Sequence, residues 1–210
     1  METETDADTV RGAAGNDSVS GGGGGDELHG GSGDDTVNGG DGADTIYGGT
    51  GNDSMDLGKV SGDTGDDGDD DVDQVVYNGD FLGQLDVAAG TDDTISNIDL
   101  GSETSDGTTG DYLSFDQDLL NLLKVDGSAL TDDKQLGNTI NVNNNIAFDN
   151  TNKVLMIDIN GDGAFNAADD FQVHLPGNVT KVFFDIEIGN DDGGVADDGA
   201  IDGDEGFWFA

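Results

Sequence analysis

The chain has 210 residues, with 47 Asp or Glu against six Lys or Arg and a formal net charge of −41 at pH 7. With only 33% of residues hydrophobic, charge of this density makes a compact state repel itself and excludes a large oily core. It also excludes nucleic acid as a partner, because phosphate backbones are bound by clustered Lys and Arg.

From the N-terminus, Met1 to Val10 is acidic and polar, without the basic start and apolar run of a cleaved signal peptide. Residues 1–11 are expected to be disordered, and an exported chain would use a route that does not read this end. No apolar run anywhere is long enough to span a bilayer.

Residues 12–56 repeat every nine residues, in segments starting at Gly12, Gly21, Gly30, Gly39 and Gly48. Gly holds the first position and, at 15, 24, 33, 42 and 51, the fourth. The sixth is always Asp (Asp17, Asp26, Asp35, Asp44, Asp53), and the eighth is always apolar (Val19, Leu28, Val37, Ile46, Met55). Glycine permits the positive φ of a tight turn and lets carbonyls approach an ion. The other three residues make a short strand with one inward side chain. Successive repeats then lie on opposite walls, so one coil takes two repeats and Asp17 pairs with Asp35, Asp26 with Asp44, and Asp35 with Asp53. Coils spaced at about 4.8 Å leave room for calcium with Ca–O bonds of roughly 2.4 Å.

Nearly all the negative charge is Asp, since Glu occurs only at Glu2, Glu4, Glu27, Glu103, Glu187 and Glu205. Calcium takes about six to eight oxygen ligands from carboxylates and carbonyls, the groups this chain supplies in excess. No Cys is present, so bound metal is the remaining staple for a weak core. A flexible Gly-rich linker is the competing account, but it gives no reason for an apolar residue in every eighth place.

The segments GGSGDDTVN (30–38), GGDGADTIY (39–47) and GGTGNDSMD (48–56) resemble the GGxGxDxUx nonapeptide of repeats-in-toxin (RTX) proteins, where U is a large apolar residue. The resemblance implies a mainly β fold: a parallel β-roll, a right-handed solenoid of nonapeptides that binds Ca2+. The first copy departs from it with Ala13 in place of Gly.

Beyond Asp56 the frame slips and returns at 65–73, with Asp70 and Val72 in the expected columns, and echoes again with Asp93 and Ile95. Terminal repeats of a solenoid are irregular because they cap its edge. Residues 57–100 therefore read as degenerate repeats in transition to a small β-rich cap domain with a short helix, over 101–189. Across this boundary, Ile95 to Gly101 followed by Asp111 to Gly127 reads as strand, short helix and strand, the helix presenting Leu119, Leu120, Leu122 and Leu123. The stretch is similar to segments near the C-termini of large bacterial adhesins secreted by type I systems.

A second metal motif is D-x-N-x-D-G-x-x-N-x-x-D at 158–169. Asp158, Asn160 and Asp162 would give side-chain oxygens, Gly163 the bend, Ala164 a carbonyl, Asn166 a direct or water-mediated contact, and Asp169 the closing carboxylate. The loop resembles those of EF-hands and dockerins, but its flanks, Val154 to Ile159 and Phe171, Val173 and Leu175, read as strands rather than helices. A calcium-free Asx turn remains the alternative.

The tail, 190–210, is acidic and ends Phe207-Trp208-Phe209-Ala210. It resembles the uncleaved C-terminal signal that RTX proteins present to a type I secretion apparatus; a tail folded back on the body is the alternative. Only His29 and His174 offer neutral-pH bases, both at outward positions, so catalysis is not expected. The expectation is a secreted bacterial calcium-dependent folding and secretion module, extracellular or at the cell surface. Its rival is the surface- or glycan-binding end of an adhesin.

Overall fold

The computed structural model describes residues 6–58, 72–77, 90–98, 111–115, 124–125, 128–129, 145–177 and 183–185. Its first six strands are β1 (Thr9–Ala14), β2 (Ser18–Gly23), β3 (Glu27–Ser32), β4 (Thr36–Asp41), β5 (Thr45–Thr50) and β6 (Ser54–Asp56). They alternate between two walls as the repeat requires. β1, β3 and β5 pair in parallel on one wall, and β2, β4 and β6 on the other, each residue opposite its equivalent 18 positions away, as Val19 opposite Val37. Two nine-residue repeats thus make one coil.

The stack does not stop at residue 56. β7 (Gln74–Tyr77) continues the first wall on β5, and β9 (Tyr112–Phe115) continues it on β7. β8 (Asp92–Ser96) continues the second wall on β6. It begins earlier too, because residues 9–11, expected in a disordered segment, pair with β3. The described strands past residue 56 thus extend the same two walls, each coil templating the next through backbone hydrogen bonds.

Inward side chains form two apolar columns. One runs Val10, Leu28, Ile46, Val75, Leu113 and the other Val19, Val37, Met55, Ile95, in register strand by strand. From Val19 onward these side chains are at most 4% exposed, each contributing about 1.5–3 kcal/mol by burial.

The second wall then turns antiparallel. β12 (Ile146–Asp149), β13 (Val154–Ile157) and β14 (Phe171–His174) form a meander whose β14 lies parallel to β8. Two more pairings complete the description: β15 (Phe183–Asp185) runs parallel to β9, and β10 (Lys124–Val125) pairs with β11 (Ser128–Ala129). Tyr77 stacks on Phe115 with centroids 5.7 Å apart and meets Phe171 edge-on at 5.5 Å. Roll and meander therefore share one hydrophobic core.

Among the described residues there is no helix, and none long and apolar enough to cross a membrane. The helix expected around Leu119 to Leu123, and the tail at 190–210, lie outside the described residues.

Candidate metal centre

Each Asp of the sixth column sits at the turn before a strand and uses its two carboxylate oxygens differently. Oδ1 reaches to the preceding coil on its own side. Asp35 Oδ1 accepts the Asp17 N–H at 2.8 Å, Asp44 Oδ1 the Asp26 N–H at 2.8 Å, and Asp53 Oδ1 the Asp35 N–H at 2.9 Å. These are the three same-side pairs that the spacing predicts.

The ladder also runs beyond the regular repeats. Asp26 Oδ1 accepts from Asp8, Asp73 Oδ1 from Asp44 at 2.7 Å, Asp93 Oδ1 from Asp53 at 2.9 Å, and Asp111 Oδ1 from Asp73 at 2.8 Å. Asp73 stands in the column where the sequence frame expects Asp70, which lies outside the described residues. The reason is packing: with Asp73 in the turn, Val75, Val76 and Tyr77 are all buried, whereas Val72 stays partly exposed. A second, exposed ladder runs through the fifth position, where Asn16, Asp34 and Asn52 accept from the N–H of Asp34, Asn52 and Asp92 in turn.

Oδ2 has a different situation. In Asp17, Asp26, Asp35 and Asp53 it is buried and meets no hydrogen-bond donor. It faces the first-position glycine of its own repeat, where there is space only because a side chain is missing. A Cβ on Gly12 would lie 3.0 Å from Asp17 Oδ2 and 2.5 Å from the Gly30 carbonyl oxygen, and one on Gly48 would lie 2.8 Å from Asp53 Oδ2. A carboxylate oxygen and a carbonyl oxygen from the next coil thus converge on a cradle lined by glycine backbone. No three Asp, Glu, His or Cys side chains converge to hold a metal among the described residues, so these cradles need carbonyl oxygens to complete a coordination shell. Such a mixture is what calcium accepts. The residues fit the ion.

Burying a carboxylate without a counter-charge disfavours its charged form. Burial pushes Asp53 up to about 6, the Asp35 N–H partly offsetting it and the charges of Asp35 and Asp34 adding to it. Burial likewise raises Asp35. Since the folded value lies above the ordinary one, folding without metal takes up a proton. That contribution is complete below the ordinary carboxylate range and is lost as pH rises through about 6. In excess chelator, acidifying from pH 7 to pH 4 is therefore expected to increase the β-sheet signal in circular dichroism, with the proton standing in for the cation; a signal that falls or stays flat contradicts it.

The loop at 158–169 is less assembled. Asp158 is 2% exposed, its Oδ1 accepting from Gly161 N–H at 2.6 Å and its Oδ2 from Gly163 at 2.9 Å. Asn160 and Asp162 accept from Asp162 and Ala164 in short Asx turns. Asn160, Asp162, Ala164, Asn166 and Asp169 are all exposed.

Neither histidine sits among these groups. His29 stacks on Tyr47 at 4.4 Å and meets Glu27 Oε1 at 2.8 Å, and His174 lies 3.0 Å from Asp92 Oδ1.

The RTX calcium-binding nonapeptide repeat family (4 copies) matches residues 2–37 and 29–59. No curated protein and no solved structure matches the chain.

Proposed function

Because residues 2–59 are RTX calcium-binding nonapeptide repeats, we propose that the chain is a calcium-dependent folding and secretion module of a type I-secreted bacterial protein. The observation that carries this is the buried Oδ2 atoms of Asp17, Asp26, Asp35 and Asp53, which lack a donor. A chain with these buried atoms has little reason to fold where calcium is scarce. It folds where calcium reaches the roughly 10⁻⁴–10⁻³ M at which extracellular sites fill. Binding energy then becomes folding energy, and the folded roll stays locked while calcium exceeds its dissociation constants.

The reading is one of binding and folding without catalysis. It is supported by His29 stacking on Tyr47 and meeting Glu27, and by His174 meeting Asp92. An unfolded chain suits passage through a secretion channel, and calcium outside the cell would make the passage one-way.

Export from a bacterial host with a type I apparatus tests the proposal. Removing 190–210 spares every described strand, and we expect it to abolish export while leaving calcium-dependent folding of the purified protein intact. Normal export with lost attachment to cells or glycans would overturn the secretion role in favour of an adhesin end. Deleting all of 101–210 is the poorer experiment, since it removes β9 and β14 from the shared core.

A further inference from the structure

β13 and β14 pair up to Ile157 opposite Phe171, so the loop between them is a hairpin connection whose neck is formed by residues 158 and 170. Both neck residues are aspartates, and both are buried, Asp158 at 2% exposure and Asp170 at 0%. Two buried carboxylates at one neck repel each other, and among the described residues neither makes an ion pair to a basic side chain.

Asp170 Oδ2 accepts the Asn166 N–H at 2.8 Å, which turns the carboxylate into the loop. Its Oδ1 is buried and has no hydrogen-bond partner. Asp169, the twelfth residue of the motif, is exposed instead.

The loop is also fastened to the roll. The Gly90 N–H donates to the Asp170 carbonyl at 2.9 Å and the Gln172 N–H to the Thr91 carbonyl at 3.2 Å. The contact is close: a Cβ on Gly90 would lie 2.7 Å from the Ala168 carbonyl oxygen. Gly90 and Thr91 lead into β8, whose Asp93 stands opposite Val173 and belongs to the carboxylate ladder of the roll.

We propose that the 158–170 loop is a calcium site separate from the roll, anchored by Asp158 and Asp170 rather than closed by Asp169, and that its ion ties the antiparallel meander to β8. Asn160 and Asp162 close over the ion from the exposed rim. The inference shares only the identity of the ion with the proposed function and does not depend on the roll being filled.

Native mass spectrometry of the full chain at saturating calcium tests it by counting ions in the wild type, Asp169→Asn and Asp170→Asn. Asp170→Asn is expected to bind one ion fewer than the wild type and Asp169→Asn the same number. An unchanged count in Asp170→Asn, or a lost ion in Asp169→Asn, overturns the assignment. Since Asp170→Asn could disturb the meander itself, the wild-type side-chain carboxyl ¹³C resonances are followed through the same titration. Those of Asp158 and Asp170 are expected to shift together with the amides of Gly161 and Gly163; movement of Asp169 instead overturns the proposal. The outcomes separate the two ideas. Failure of the roll reading leaves a single ion in the loop, whereas failure of this inference leaves roll ions alone.

Discussion

Stripping calcium from the full chain at pH 7 is expected to unfold the roll completely. Asp26, Asp35 and Asp53 are each 3% exposed or less and carry an Oδ2 that meets no donor, and an uncompensated buried charge costs several kcal/mol even after relaxation. Three such groups together rival the roughly 5–15 kcal/mol by which a domain is normally stable. Arg11 in the first coil pairs with Glu27 at 3.0 Å on the exposed surface. Hydrogen bonds from Asp N–H groups satisfy Oδ1 only. In chelator, circular dichroism should lose its sheet signal, and small-angle scattering should show a radius of gyration approaching the ~50 Å of an unfolded chain of this length. Returning calcium should restore both, with a sigmoidal dependence because neighbouring coils fold on one another. A chain that remains equally compact and β-rich in chelator contradicts the account.

The second large effect is steric. Gly49, at the second position of its repeat, has φ +99°, and a Cβ there would run into the Gly31 carbonyl, 2.8 Å from its carbon and 3.0 Å from its nitrogen. Those atoms are backbone of the neighbouring coil, held by the β3–β5 ladder at Gly31 opposite Gly49, and cannot rotate away. Gly49→Ala therefore adds to the roughly 1–2 kcal/mol of an unfavourable φ the cost of prising two coils apart, about 4 kcal/mol or more in total, near a thousandfold in the folding constant. Gly15 is the control. Its φ is +113°, but nothing lies within 4 Å of an added Cβ, so Gly15→Ala should cost the φ strain alone. Calcium titrations of folding should show a large rise in the midpoint for Gly49→Ala and a small one for Gly15→Ala; equal shifts would mean that coil contact does not limit this position.

The same geometry explains Ala13. It occupies the column of Gly31 and Gly49 at φ +87°, and in that column an added Cβ points at the preceding coil. β1 is the first strand of its wall, so no described coil lies where the Ala13 methyl goes.

Legibility in the sequence followed the periodicity. Columns over 12–56 could be read because every position has a local physical reason, and the predicted coil pairs are those that hydrogen-bond. Past residue 56 the nine-residue count fails while a shorter signal persists, an Asp two residues before an inward apolar side chain. Asp73 with Val75, Asp93 with Ile95, and Asp111 with Leu113 obey it, as do Asp17 with Val19 and, at the start, Asp8 with Val10. The triplet 70–72 obeys it too, which is why local pattern alone could not choose between Asp70 and Asp73. The choice rests on the buried run Val75 to Tyr77, a tertiary effect.

Asp170 was hidden for a related reason. A twelve-residue loop template places its last ligand at Asp169, but that template assumes helical flanks. Between paired strands the neck is set by Ile157 opposite Phe171, which brings residue 170 to face 158. The shared core was equally illegible, because β8 pairs β6 on one side and β14 on the other, and a parallel pairing between residues 92–94 and 172–174 leaves no mark in either segment alone.

The most direct test of the central claim is a crystal structure grown in calcium, with ions located by anomalous scattering. The account predicts at least three ions in the roll, each touching an Asp Oδ2 beside a first-position glycine, and one more at the 158–170 neck. A well-ordered roll with its glycine cradles empty of metal would contradict it.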